Sequence, residues 1–226
     1  MIIAIDGPAG SGKSTTARAV ARELGFRHLD SGAFYRAITF AALQRGIPAG
    51  DWPKLAPAEL DALGVAAEPA DVGFRMLVDG ADVSAQIRQP DVNANVSAMA
   101  RVPAVRDWLL EILRATGRRA DLVADGRDIG TVVFPDAELK IFLVAEPRTR
   151  AARRLSQMGL PDDDDAVLAE EARIGERDRI DSSRDVAPLR AAADAVPLDT
   201  TTLGFHEQVH RIVELARQRG AGASSR

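Results

Sequence analysis

Cysteine is absent from these 226 residues, and only three histidines and three lysines occur. The first absence excludes disulfides, thiolate zinc sites and cysteine nucleophiles, and it suits a reducing cytoplasm. With so few imidazoles, His206 and His210, four apart near the C-terminus, read as one face of a surface helix rather than a zinc site. No apolar run approaches the roughly 20 residues that span a bilayer, so no membrane association is expected. The start, Met1 to Ile5, has no basic flank and runs directly into Asp6, unlike a signal peptide. A net charge of −4 argues against a general nucleic-acid binder. The lysines are Lys13, Lys54 and Lys140; the other 26 basic residues are arginine. Arginine placement therefore carries the argument, because its planar fork matches phosphate oxygens bidentately.

One of the scarce lysines lies in Gly7-Pro8-Ala9-Gly10-Ser11-Gly12-Lys13-Ser14, which fits G-x-x-x-x-G-K-[ST]. The apolar run Ile2–Ile5 precedes it as a strand, and Thr16–Leu24 follows as a helix, the context that a phosphate-binding loop requires. Its glycines let backbone N–H groups turn toward phosphate oxygens, and the helix N-terminus adds a positive field. Lys13 reaches the β/γ-phosphates and Ser14 holds magnesium in such loops. The chain is thus expected to bind a nucleoside triphosphate with Mg2+.

Further strands are expected at Phe26–Asp30, Asp121–Asp125, Leu139–Val144 and Ala193–Asp199, alternating with helices. The pattern predicts an α/β fold, a five-stranded parallel sheet with helices on both faces. The strand ends carry Asp6, Asp30-Ser31, Asp125 and Asp199-Thr200, where ligands bind in open α/β sheets. Two segments interrupt the alternation. Residues 46–117 contain the alternating Phe74, Met76 and Val78 followed by an Asp79-Gly80 hairpin turn, then an amphipathic helix through Val102, Val105, Leu109 and Ile112-Leu113. Residues 148–185 read as two helices joined by an acidic loop, a lid in which the Asp162–Asp165 run caps the second helix. The core is then 1–45, 118–147 and 186–220, and 221–226 is expected to be disordered. Trp52 and Trp108 are expected to be packing residues.

Phosphoryl transfer to an acceptor that is already a phosphate needs no general base, only positioning and charge cancellation. Arginines sit where that requires: Arg36 after the second strand, Arg127 after the third, and Arg150, Arg153 and Arg154 after the fourth. Arg173, Arg177 and Arg184 share a helix face with Asp181. Asp125 stands where a magnesium-organising carboxylate belongs, although a turn cap explains it equally well from sequence.

Five segments, GPAGSGKS at 7–14, DSGAFYR at 30–36, DGRDIGTVVFPDAELKIFL at 125–143, ERDRIDSSRDVAPL at 176–189 and DAVPLDTT at 194–201, resemble bacterial cytidylate kinases over nearly the whole chain. The resemblance implies a nucleoside monophosphate kinase fold, with 46–117 as a monophosphate-binding region enlarged by a small β insert. It implies transfer from ATP, with Mg2+, to CMP or dCMP. Ser31 and Arg36 would lie near the acceptor nucleotide, and Ser97, Arg106 and Asp128 would read cytosine. Arg127 and Arg177 would lie near its phosphate, Asp181 and Arg184 near sugar and base. The expected ATP side is Gly7, Pro8, Ala9, Gly10, Ser11, Gly12, Lys13, Ser14 and Thr15 with Arg150 and Arg153; the expected catalytic cations are Lys13, Arg127 and Arg177; the metal ligands are Ser14 and Asp125. A cytoplasmic monomer acting on small molecules is expected. Two departures are noted: Ser14-Thr15 replaces the glycine-threonine of some members, and Gly204 stands where a Ser or Thr cap often follows the last strand. Kinases of another monophosphate or of a small metabolite remain compatible with the loop and the arginine-rich lid. A GTP-dependent switch is not, because none of the lysines lies in N-K-x-D. A nucleic-acid-binding ATPase is disfavoured by charge and size.

Overall fold

The computed structural model describes residues 1–118 and 120–221. The chain packs as two compact units, one comprising Met1–Arg27 and the chain from Asp121 onward, the other His28–Ala120. Packing thus groups residues 28–45 with the 46–117 segment.

The five expected strands form one five-stranded sheet in the order β2-β6-β1-β7-β8. They are β1 (Ile2–Asp6), β2 (Arg27–Asp30), β6 (Leu122–Gly126), β7 (Leu139–Val144) and β8 (Val196–Asp199). β1 lies parallel between β6 and β7, and β7 is parallel to β8. Ile3, Ala4 and Ile5 are fully buried, as are Leu122, Val123 and Ala124, so the apolar runs reflect cover on both faces. The helices of this unit are α1 (Lys13–Leu24), α6 (Pro147–Met158), α7 (Asp164–Ser182) and α8 (Phe205–Gln218). α1 and α8 are pinned together by Gln208 Nε2, which donates to Thr16 Oγ1 at 2.8 Å. α6 starts at Pro147 and ends at Gly159, whose positive φ lets Leu160 N–H return to the Leu155 carbonyl at 3.0 Å. Asp163 caps α7 by accepting from Ala166 N–H at 2.9 Å, the role expected of the acidic run. Residues 222–226 of the expected disordered tail lie outside the described residues.

In the second unit Asp30 caps α2 (Ser31–Gln44), accepting from Ala33 N–H at 3.0 Å. A short helix α3 (Pro57–Asp61) leads to an antiparallel sheet of β3 (Val65–Pro69), β4 (Phe74–Val78) and β5 (Ala81–Asp82). Asp79 and Gly80 both take positive φ between β4 and β5, as a tight hairpin demands. α4 (Pro90–Met99) and α5 (Pro103–Gly117) complete the unit. Its core includes Ile38, Trp52, Leu60, Met76, Ile87, Met99 and Leu109. Trp52 is buried as expected; Trp108 donates to Asp61 at 2.7 Å. Among the described residues no helix is long and apolar enough to cross a membrane.

A buried carboxylate joins the two central strands at their ends. Asp6, opposite Gly126 and Phe142 in the sheet, accepts from Ile129 N–H at 2.8 Å and Gly130 N–H at 2.7 Å. It thereby holds the π-type turn Ile129–Val133 that follows β6. Burial raises its pKa from 3.8 to about 6, the two backbone bonds opposing this, Asp128 adding to it and Lys13 reducing it. The folded protein then binds this proton more tightly than the unfolded chain. Stability from this group is greatest at low pH and falls as pH rises between the two values, by on the order of 3 kcal/mol. The melting temperature of the wild type relative to Asp6→Asn should therefore decline from about pH 4 to about pH 6 and then level off. A difference independent of pH across that window contradicts the assignment.

Candidate active site

The phosphate loop leaves β1 at Gly7, where φ is +153° and a Cβ would lie 2.1 Å from the Leu143 carbonyl oxygen. Only glycine fits between the loop and β7. Ser11 Oγ donates to Pro8 O at 3.0 Å, closing the loop on itself. Lys13, the first residue of α1, is buried; its Nζ donates to Pro8 O at 2.6 Å and to Ser11 Oγ at 3.3 Å. Ala9 and Ser11 are buried as well, whereas Thr15 is exposed on the first turn of α1.

β6 brings its carboxylate to this loop. Ile5 and Asp125 are direct partners in the parallel ladder, and Ser14 Oγ donates to Asp125 Oδ2 at 2.6 Å. The residues expected to share a metal are thus in contact. A hydroxyl and a carboxylate are hard oxygen donors of the kind magnesium takes, with phosphate and water oxygens filling the remaining positions. Among the described residues no group of three or more His, Cys, Asp or Glu could hold a metal by itself.

Charges of both signs surround Lys13. Burial pushes its pKa well below the usual lysine value, and Arg127 and Arg177 push it further, against the opposing pull of Asp125 and Asp178. The negative charge of an arriving phosphate would offset this repulsion. Arg127 Nε donates to Asp181 Oδ2 at 2.9 Å, and Arg184 pairs with the other oxygen of the same carboxylate. Asp181 is 1% exposed and joins the turn after β6 to α7. Asp128, the next residue of that turn, is also buried.

The arginines of α6 and α7 divide by destination. Arg150 Nη1 donates to Ala9 O at 2.7 Å and Asp178 at 2.5 Å, and its Nε is buried without a hydrogen-bond partner among the described residues. Arg153 turns to the end of β8, donating to Thr200 O at 2.5 Å and Thr200 Oγ1 at 3.0 Å. Arg154, Arg173 and Arg177 line a cavity with Ala9, Gly10, Glu170 and Ile174. Buried Glu170 lies 3.3 Å from Arg173 and 4.0 Å from Arg154. Asp178 and Glu170 went unnoticed in the sequence. The available cue was their spacing from arginines: Asp178 follows Arg177 directly, and Glu170 precedes Arg173 by one turn.

The remaining expected residues belong to the second unit. Ser31 is buried at the start of α2, and Arg36 lies one turn further on, with Nε 3.4 Å from Asn93 Oδ1. Asp30 accepts from Arg88 at 3.1 Å and stands 3.9 Å from Arg36. Burial favours its neutral form, but Arg36, Arg88 and His28 outweigh that and hold its pKa below the usual carboxylate value. Ser97 is half-buried on α4. Buried Arg106 of α5 donates to Ala100 O at 3.2 Å and lies over the Tyr35 ring at 5.7 Å. His206 and His210 face outward on α8, with His210 3.3 Å from Glu214.

The sequence profile of the family described as Cytidylate kinase matches residues 3–218. A bifunctional pantoate ligase/cytidylate kinase of Synechococcus elongatus is 49% identical over 233 residues, which are 99% of this chain and 43% of that protein. The chain therefore spans less than half of that relative. A cytidylate kinase of Mycobacterium avium is 46% identical, over 97% of this chain and 96% of its own length. Among solved structures, an uncharacterized protein from Eubacterium ventriosum superimposes with a TM-score of 0.51 at 13% identity, over 96% of this chain and 98% of that one. That likeness concerns the fold alone. Loop, carboxylate, arginines and whole-length sequence similarity agree, and the chain belongs to the cytidylate kinase family.

Proposed function

We propose that this protein transfers the γ-phosphoryl group of ATP to CMP or dCMP, as a cytoplasmic monomer. The observation that carries the phosphotransfer reading is the Ser14–Asp125 contact at 2.6 Å beside a buried Lys13 that is repelled by Arg127 and Arg177. Such a cluster fits a polyanion. The choice of CMP rests on the family and on the residues described below.

The loop from Gly7 to Thr15 receives the ATP phosphates, with Lys13 on the β/γ-oxygens. Arg150 and Arg153 belong to the same side, Arg150 through its unpartnered Nε and Arg153 through the loop after β8. Ser14 and Asp125 would hold Mg2+, which when bound supplies charge neutralisation at the phosphate oxygens. An oxygen of the CMP phosphate forms the new bond to the γ-phosphorus while the bond from that phosphorus to the β-γ bridging oxygen breaks, and ADP departs with the electron pair. The acceptor oxygen is already anionic at neutral pH, so no side chain needs to remove a proton. Lys13, Arg127 and Arg177 act by stabilising the charge that spreads over the transferring group.

The acceptor nucleotide takes Ser31 and Arg36 of α2, Ser97 of α4, Arg106 of α5, and Asp128, Asp181 and Arg184. Cytosine presents an N4 amino donor beside N3 and O2 acceptors. A carboxylate at Asp128 and a guanidinium at Arg106 complement that edge. Uracil places a lone pair where the amino group was. A net charge of −4 fits small-molecule substrates rather than nucleic acid.

Three measurements test this reading. A panel of CMP, dCMP, UMP, AMP and GMP under saturating MgATP should show CMP or dCMP as the best acceptor; preference for a purine monophosphate refutes the proposal. Lys13→Ala should fold but lose about a hundredfold in kcat, near 3 kcal/mol of transition-state stabilisation. A folded Lys13→Ala with wild-type kcat removes the loop from the mechanism. In Asp128→Ala the CMP/UMP ratio of kcat/KM should fall at least about tenfold, because the amine loses its acceptor while uracil loses a repelling group. Equal losses on both substrates would assign Asp128 to phosphate or structure instead.

A further inference from the structure

The contact between α7 and the phosphate loop contains a closed hydrogen-bonded ring. Ala9 N–H donates to Asp178 Oδ1 at 2.8 Å. The other carboxylate oxygen of Asp178 accepts from Arg150 Nη1 at 2.5 Å, and the same nitrogen donates to the Ala9 carbonyl at 2.7 Å. One residue of the loop is thus held at both its donor and its acceptor, by a charged pair drawn from α6 and α7. Arg150 is 7% exposed, so the ring is largely shielded from solvent and its bonds are charge-assisted.

Apolar packing alone would not provide this. Ala9 also joins Ala151, Leu155, Val167 and Ile174 in a buried cluster, and a Cβ added to Gly10 would come within 3.0–3.3 Å of Arg150 and Ile174. These contacts bring helices and loop together, but hydrophobic burial is non-directional and does not select the rotation of α7 about its axis. Each residue along a helix turns by about 100°, so the side chain that is anchored decides where its neighbours point. Asp178 is anchored to Ala9. Arg177 precedes it and Asp181 lies three residues on. Arg177 is close enough to depress the pKa of Lys13, and Asp181 carries Arg127.

We infer that Asp178 is a positioning residue for phosphoryl transfer: through its ring with Arg150 and Ala9 it sets the rotation of α7 on the phosphate loop, and so the placement of Arg177 and of the Asp181–Arg127 pair. The inference rests on the proposed CMP kinase reading. Asp178 touches no substrate in this scheme. Its loss should therefore appear mainly in the catalytic step, through Arg127 and Arg177, with a smaller effect on CMP affinity through Asp181.

The test uses the full chain with Asp178→Ala, Asp178→Asn, Arg150→Met and the double variant Asp178→Ala/Arg150→Met. Steady-state kinetics with MgATP and CMP are read beside hydrogen exchange of residues 164–182 in the absence of substrate. Asp178→Ala should lower kcat at least about tenfold while KM for CMP stays within about threefold, since small misplacements of charged groups act on the transition state. α7 should exchange faster in that variant. The double variant should raise α7 exchange no more than about twofold beyond Asp178→Ala, because members of one ring are not additive; its kcat also reports the ATP-side role of Arg150. Asp178→Asn keeps an acceptor for Ala9 but turns an amide donor toward Arg150, and should retain more activity than Asp178→Ala; where the alanine variant does not fold, the asparagine variant carries the comparison. A wild-type kcat in Asp178→Ala, exchange effects that multiply in the double variant, or unchanged exchange of α7 would each overturn the inference. A wild-type protein inactive on CMP defeats the functional reading, and the exchange data then decide the ring separately.

Discussion

Ile5 of β1 stands beside Asp125 of β6 in a parallel ladder, and the candidate site depends on that register. It aligns the carboxyl ends of the two central strands, so that Asp6 and Asp125 emerge together. From there β1 runs into the phosphate loop and β6 into the turn carrying Arg127 and Asp128. A slip of one residue would turn Asp125 to the opposite face of the sheet and away from Ser14. Continuous burial of β1 and β6 makes such a slip costly, because it would exchange apolar for polar side chains in a covered layer. The hydrophobic layer thus sets the placement of the polar groups at its edge.

Two buried carboxylates then divide the work by environment. Among the described residues Asp6 has only backbone N–H groups as direct hydrogen-bond partners, and its pKa is pushed up. Asp181 has two arginines and is the common counter-charge of Arg127 and Arg184. The first ties the turn after β6 to β1, and the second ties it to α7. Arg127 and Asp128 are therefore carried on a segment braced from both sides, although it has no regular strand or α-helix structure. Such bracing suits groups whose effect on charge transfer depends on fixed placement.

Much of this was legible in the sequence, and the reasons are specific. The phosphate loop announces itself because its glycines answer local steric demands that few residues meet; Gly7, with the Leu143 carbonyl where a Cβ would be, is an example. The five strands were legible because buried parallel strands read as apolar runs, and the β4–β5 turn because Asp79-Gly80 accepts positive φ. Side-chain destinations were not legible. Arg150 and Arg153 lie three residues apart on one helix, yet one reaches Ala9 and the other Thr200. Asp178 was overlooked because an acid among arginines reads as an exposed counter-charge until the fold brings Ala9 beneath it. α4 carried no sequence expectation, since its Asn and Ser residues weaken the apolar periodicity on which helix assignment rests.

The scarcity of lysine acquires a physical meaning at the site. Arginine stays protonated when buried, whereas an ammonium group surrounded by cations readily loses its proton. The loop nevertheless places its single lysine where burial and two arginines act against its charge. Arg127 and Arg177 supply positive charge that does not depend on occupancy. Lys13 differs in that its charge becomes more favourable as phosphate oxygens approach and offset the repulsion. The compact ammonium group also has a reason to be there, since Nζ must fit between the Pro8 carbonyl and the Ser11 hydroxyl. On the proposed function the arginines would act as fixed positive charge, and the lysine as the group whose charge responds to a bound nucleotide.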